Sequence, residues 1–353
     1  MAVLPPITTK PPAPTMDFFQ TDSTLTINIY TKRKGLTKAL VMVDTTKPKL
    51  RLVLRLPDTK EAFLLHLELA GEVVEGKTKL RVGASGKVEV ELAKVVQERW
   101  PGLGRGLEGH LWCGPGQELE VVFRDWEVVR NTEVSHDMVE VVVRPPASLC
   151  VEVPPGHHLQ ARAQVEGEQV VRSYTPVVTL VRRPGEEGCV HLLVKVYPGG
   201  ALTPLFSQLL PGDTLELSEP LGSFSPSLLA DRSGLLLLAA GTGVTPILSL
   251  LPHLPSSPNT LMFFNKTEAD IPWRQELDLL DTLHVVHVMS DQEDFQGPQG
   301  RVSEALLAPY IEALLAPPGP LVLVCGPPGF SREVRRILQK LGLGEEEVHV
   351  FEG

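Results

Sequence analysis

The sequence predicts a multidomain chain: an all-β sandwich, then an antiparallel β-barrel, then an α/β domain on a parallel sheet. Three observations carry this reading. Between residues 16 and 104, short runs of alternating apolar and polar residues recur at roughly ten-residue spacing, the mark of half-buried strands. From about 120 to 220 the pattern stays β, punctuated by turn signals such as Pro154-Pro155-Gly156 and Pro211-Gly212-Asp213. From about 234 onward, apolar strand-length runs alternate with helical stretches, the rhythm of a parallel sheet.

Composition bounds the function. The chain has 353 residues, room for two or three domains of roughly 100–200 residues. Its hydrophobic fraction of 42% and charged fraction of 22% fit a soluble globular protein. A formal net charge of -10 repels phosphate backbones and argues against nucleic-acid partners. The four cysteines, Cys113, Cys150, Cys189 and Cys325, form no C-x-x-C pair and have no metal-ligand spacing. A reducing compartment and no metal site are expected. Residues 1–15 hold five prolines and read as a disordered leader rather than a secretory signal. No run approaches the roughly 18 apolar residues of a membrane span.

Taken in order, residues 16–104 give the sandwich, with strands at Leu25–Tyr30, Leu50–Leu56, Phe63–Leu69, Lys79–Val82 and Lys87–Leu92. This module holds no cluster of catalytic residue types, so it reads as structural or partner-binding. The Gly-rich stretch 105–119 reads as a linker. Residues 120–228 give the barrel, with strands at Val139–Val143, Val170–Val171, Val177–Val181 and His191–Val196. Residues 229–353 give the α/β domain. Its strands are Leu235–Ala240, Thr260–Phe264, His284–Met289 and Leu321–Val324, and its helices include Ser303–Leu307 and Ser331–Leu341.

Four motifs carry chemistry. Arg172-Ser173-Tyr174-Thr175 sets a guanidinium beside an aromatic ring and a hydroxyl, a set suited to a flavin dinucleotide; an ordinary edge strand would read the same. Lys195-Val196-Tyr197 leads into Gly199-Gly200-Ala201-Leu202-Thr203, where Thr203 could cap a helix; the alternative is a plain turn. Gly241-Thr242-Gly243-Val244-Thr245-Pro246 follows a buried strand, the position of a dinucleotide-phosphate turn or of a simple βα loop. Cys325-Gly326-Pro327 ends the last parallel strand, where ligands bind open sheets and where buried cysteines also occur.

In this order the motifs make residues 120–353 resemble the cytochrome b5 reductases, within the ferredoxin-reductase-like group. Asn131–Asp137, Pro155–Leu159, Asn265–Ile271 and the aromatic end at Phe351 match the same family. The resemblance implies an FAD-dependent reductase. Arg172, Tyr174 and Thr175 would hold FAD, with Thr175 near its reactive nitrogen. Lys195, Val196 and Tyr197 would line the flavin, Gly200, Ala201, Leu202 and Thr203 would contact its phosphates, and Thr245 would approach it. Gly241, Thr242, Gly243, Pro246, Cys325, Gly326 and Pro327 would serve the nicotinamide cofactor, and Phe351 would belong to the cofactor-binding set. Cys325 would place the nicotinamide for hydride transfer. Asp291, after the third parallel strand, would bond the ribose and favour NADH; Ser290 beside it leaves room for the phosphate of NADPH. Departures from the family are Val178 for Ser, Thr203 for Ser, His157 for Gln, and a short segment at Val181–Gly188.

Residues 16–104 resemble the CS domain of heat-shock co-chaperones, through Phe19–Asp22, Leu92–Lys94 and Trp100–Leu103. The order CS then reductase is similar to a soluble fusion member of the family that begins with a haem-binding cytochrome b5 domain. No His-Pro-Gly-Gly haem motif occurs here, so the chain resembles a truncated form or a relative without its own haem. The resemblance implies a soluble cytoplasmic protein, able to associate with the endoplasmic reticulum surface. Electrons would pass from NADH or NADPH through FAD to a cytochrome b5-type haem domain, and the CS domain could dock a chaperone or other partner. The rival readings are a co-chaperone-like scaffold with a non-catalytic reductase half, and a general flavin, quinone or metal reductase.

Overall fold

The computed structural model describes residues 13–351 apart from positions 58, 182, 233, 257 and 315–318. Most of the proline-rich leader therefore lies outside the described residues. Two units emerge: Met1–Glu120 with Ala147–Glu152, and Val121–Pro146 with Val153–Gly353.

The first unit contains β1 (Thr15–Gln20), β2 (Thr24–Tyr30), β3 (Val41–Asp44), β4 (Lys49–Arg55), β5 (Glu61–Leu69), β6 (Lys79–Val82), β7 (Lys87–Ala93), β8 (Gly104–Gly106) and β9 (Trp112–Pro115). One sheet has the order β1-β2-β7-β6, and the other runs β3-β4-β5-β8 with β9 also on β5. Alternation gives each strand an apolar face. Leu25, Ile27 and Ile29 of β2 and Val88, Val90 and Leu92 of β7 meet Leu50, Leu52, Leu54, Phe63, Leu65 and Leu67 in one core. This is a sandwich. The stretch 105–119, expected as a linker, carries the end of β8 and all of β9. Gly104 has φ +135, and a side chain there would collide with the Glu68 carbonyl oxygen. This glycine, just ahead of that stretch, allows two backbones to approach closely.

The second unit begins with β10 (Phe123–Ser135) and β11 (Met138–Arg144). The chain then lends β12 (Leu149–Cys150) to the first unit, where it pairs antiparallel with β3. It continues through β13 (Leu159–Val165), β14 (Glu168–Tyr174), β15 (Pro176–Val177), β16 (Val190–Lys195), helix α1 (Thr203–Gln208) and β17 (Thr214–Ser218). These strands form one antiparallel, barrel-like sheet of order β14-β13-β17-β10-β11-β16-β15. The strand expected over Val177–Val181 stops at Val177. The Thr179 hydroxyl donates to the Val181 carbonyl and accepts from the Val181 amide, a local turn that competes with the ladder.

The rest is α/β: β18 (Leu235–Ala240), α2 (Val244–Leu250), β19 (Asn259–Asn265), α3 (Arg274–Asp278), β20 (His284–Met289), α4 (Glu304–Glu312), β21 (Leu321–Cys325), α5 (Pro328–Lys340) and β22 (Val348–Val350). All strands are parallel, in the order β20-β19-β18-β21-β22. Leu235, Leu237 and Ala239 enter one core, and Leu236 and Leu238 enter another. That explains why β18 reads as a continuous apolar run: both of its faces are covered. Helix α5 starts at Pro328, earlier than Ser331, because proline suits a first helical turn. Helix α4 runs past Leu307 to Glu312.

Candidate functional site

The central strand β18 lies between β19 and β21, so a crevice opens beyond the carboxyl ends of these strands, where open parallel sheets bind ligands. Two turns form its floor. Gly241–Gly243 is a single 3-10 turn leading into α2, and Cys325–Pro327 leads into α5. The turns pack backbone on backbone. A side chain at Gly243 would collide with the Cys325 carbonyl oxygen and lie 2.7 Å from the Gly326 amide nitrogen. Gly241 is different. It has φ +54, and no atom lies within 4 Å of the position a β-carbon would take. Its backbone is therefore open to close approach by a ligand.

Facing these turns is the barrel wall. A groove of about 380 Å³ is lined there by Tyr174, Thr175, Lys195, Tyr197 and Thr203. Its other side is Thr242, Gly243, Thr245, Pro246, Cys325, Gly326 and Pro327, with Phe351 alongside. Gly156, His158, Ser173, Leu193 and Val194, not assigned a role from the sequence, also line it. The turn at Pro155–Leu159 marked the first two; Leu193 and Val194 looked like ordinary strand residues.

The remaining predicted residues lie off this lining. Arg172 is exposed on β14, its guanidinium donating to the Val171 carbonyl at 2.8 Å. Val196 donates its amide to the Asp137 carbonyl at 2.7 Å. Leu202 is 1% exposed and belongs to the core, while Ala201 is exposed. Thr203 was expected to cap a helix; Leu202 occupies the cap position. The Thr203 hydroxyl instead accepts from the Tyr197 amide at 3.0 Å and donates to the Tyr197 carbonyl at 3.3 Å, closing the loop between them. Gly200 is required inside that loop, because a side chain there would collide with the same hydroxyl. Asp291 is exposed after β20, its amide donating to the Lys266 carbonyl at 2.9 Å.

Tyr174 packs on Phe206 with ring centroids 4.7 Å apart. Burial pushes its phenol up to about 12, so it remains a neutral donor at physiological pH. Lys195 sits at the end of β16 with its Nζ 2.6 Å from Asp137 Oδ2 and 3.0 Å from Asp270 Oδ1. Burial disfavours its ammonium, but the bonds to Asp137 and Asp270 outweigh that and raise its pKa. Burial likewise opposes the Asp270 carboxylate, yet Lys195 and Thr267 hold it below the usual carboxylate range.

Burial pushes the Cys325 thiol up to about 11. The thiolate is the species that alkylates. Iodoacetamide should therefore leave Cys325 largely unmodified at pH 8, with the rate climbing as the pH approaches 11. Mass spectrometry of the labelled peptide checks this, and fast labelling at pH 8 would refute the buried thiol.

The open Gly241 backbone beside a groove lined by both domains fits a dinucleotide, and the Tyr174 ring in its barrel wall fits a ring system. Comparison with known proteins agrees. Residues 125–225 match the oxidoreductase FAD-binding domain, residues 237–336 the oxidoreductase NAD-binding domain, and residues 14–94 the CS domain. Fold and groove thus define an FAD- and NAD-binding oxidoreductase with a CS domain in front. The chain is 34% identical over 357 residues to cytochrome b5 reductase 4 of Rattus norvegicus, covering 97% of this chain and 68% of that one. It is equally similar to the Homo sapiens protein of that name, at 34% over 357 residues. It belongs to the cytochrome b5 reductase 4 family. The solved CS-b5R domains of human Ncb5or, in the NAD+ form, match with a TM-score of 0.88 at 33% identity, over 97% of this chain and 100% of that one. The cytochrome b5 reductase domain of Ulva prolifera nitrate reductase shares the fold at 24% identity, with a TM-score of 0.54 over 65% of this chain and 97% of that one. Among the described residues no helix is long and apolar enough to cross a membrane.

Proposed function

We propose that this oxidoreductase takes electrons from NADH or NADPH and delivers them, through FAD, to a cytochrome b5-type haem. The observation that carries the reading is the groove itself, which sets Tyr174, Thr175 and Lys195 of the barrel opposite Thr245 and Cys325 of the α/β domain. When bound, FAD supplies the conversion of a two-electron hydride into single electrons.

The chain's own residues bind and orient. Tyr174 and Thr175 would hold the flavin ring, and the exposed Arg172 guanidinium would bind the FAD pyrophosphate. Val196, Tyr197 and the closed loop Gly200–Thr203 would border the same ligand. The Gly241–Gly243 turn and Cys325–Pro327 would receive the nicotinamide nucleotide, Asp291 would bond its ribose, and Phe351 lines the groove. Thr245 is held in place by its hydroxyl, which donates to the Thr242 carbonyl at 3.1 Å. The CS domain is read as the dock for the acceptor.

The purified chain should be yellow, and its flavin bands should bleach anaerobically on adding one nucleotide faster than the other. Oxidised cytochrome b5 should then be reduced. A colourless chain that binds neither FAD nor nucleotide would overturn the reading, and a chain that bleaches but leaves cytochrome b5 oxidised would overturn the acceptor. Unchanged cytochrome b5 reduction after removal of residues 1–104 would overturn the docking role.

A further inference from the structure

A cluster of ionisable side chains lies beside the groove at Lys195. His136, Asp137 and Asp270 bring three ligand-type atoms within 4.8 Å of one another. The spacing resembles a metal site, but the Lys195 ammonium already stands between the two carboxylates, at 2.6 Å and 3.0 Å. The four residues come from three separate places. Asp137 and His136 lie in the turn between β10 and β11, Lys195 ends β16, and Asp270 ends the 3-10 turn Glu268–Asp270 after β19. Barrel and α/β domain therefore meet at one ammonium.

Each side is fixed before they meet. Asp270 turns its Oδ2 back to accept from the Thr267 amide at 3.0 Å and hydroxyl at 2.9 Å, leaving Oδ1 for Lys195. On the barrel side the Asp137 carbonyl accepts from the Val196 amide at 2.7 Å, which locks the turn to the residue after Lys195. His136 adds a second link, its Nδ1 lying 2.9 Å from the Ala269 carbonyl. The Lys195 side chain is 16% exposed and that of Asp270 8%, so water screens the attraction little.

We infer that Asp137 and Asp270 are positioning residues. They clamp Lys195 and so fix the distance between the flavin-side wall at Leu193–Lys195 and the nucleotide-side turns. This rests on the electron-transfer reading of the same groove. Lys195 lies on the lining, but its charge is already matched by two carboxylates, so its main work is to join them. A consequence separates this from Lys195 acting as a plain nucleotide ligand. Without the ammonium, two carboxylates a few ångströms apart repel and push the domains apart. Removing one carboxylate as well should relieve that repulsion.

The test compares Lys195→Met, Asp270→Asn and the double variant Lys195→Met/Asp270→Asn in the FAD-loaded full chain. Hydrogen exchange of the 267–271 turn, measured without nucleotide, should speed up about tenfold in Lys195→Met and return to within about twofold of wild type in the double variant. Turnover with NADH and ferricyanide should follow: kcat falls about tenfold and recovers, while KM moves less than about twofold. A double variant no better than Lys195→Met overturns the clamp. So does a Lys195→Met chain with wild-type exchange and only a raised KM. Exchange that rises as much in the fully buried strand β18 also counts against it, because that reports global loosening. If the wild type fails to bleach with nucleotide, the electron-transfer reading falls, and the exchange comparison alone still decides the clamp.

Discussion

Alanine at Gly243 is expected to destabilise the protein by about 1–3 kcal/mol and to weaken NADH binding at least about tenfold. The added methyl would collide with the Cys325 carbonyl oxygen and lie 2.7 Å from the Gly326 amide nitrogen. Both obstacles are backbone, so no side chain can swing away, and the two nucleotide turns must separate. Gly241→Ala makes the contrast. Nothing lies within 4 Å of its β-carbon position, so its cost is conformational only: a left-handed φ of +54, worth about 1–2 kcal/mol. Denaturant melts and calorimetry with NADH on both variants check this. A Gly243→Ala chain with wild-type midpoint and affinity would mean the turns are not packed backbone to backbone.

Much of this was legible in the sequence, for reasons that differ by element. Period-two alternation marked β2, β4, β5 and β7 because each has one face in the sandwich core. The run at β18 was legible because both faces are buried. Short strands were not. β8, β9 and β12 are two to four residues long, too brief for a period, and β12 pairs with β3 from a point about a hundred residues downstream, as the bond from the Thr45 hydroxyl to the Ser148 carbonyl also illustrates (103 residues apart).

The groove was legible as local strings, since Tyr174-Thr175, Gly241–Pro246 and Cys325–Pro327 each sit on one turn or strand end. The clamp was not. Lys195 finds Asp270 across 75 residues, and nothing local in either string names the other. Thr203 illustrates a third limit. A hydroxyl before a short helix predicts a cap, but the loop closure at Tyr197 takes that hydroxyl first. Local propensity names what a side chain can bond, while tertiary geometry selects among the options.

Alanine at Phe206 is expected to cost about 3–5 kcal/mol. The ring is fully buried and packs tilted against Tyr174, with centroids 4.7 Å apart. The backbone carbonyl of Phe206 also accepts from the Asn131 side-chain Nδ2 at 2.7 Å, so α1 is tied to β10 at this point. Losing the ring leaves a cavity behind Tyr174, and FAD retention should fall with it. The phenol supplies an independent readout. In the wild type, burial holds Tyr174 up at about 12, whereas an unfolded tyrosine ionises near pH ~10. Between those values the unfolded chain has released a proton that the native state keeps. Stability from this group is therefore full below about pH 10 and lost as pH rises toward 12. With the ring removed, water reaches the phenol, its pKa drops toward the ordinary value, and that alkaline loss shrinks. Phe206→Leu refills most of the volume and should fall between the two. Phenolate absorbance and thermal midpoints across the alkaline range measure both effects on the same samples. If Phe206→Ala lowers the midpoint but leaves the Tyr174 titration unmoved, then the barrel wall, not the ring pair, keeps Tyr174 dry, and the flavin-facing surface does not depend on α1.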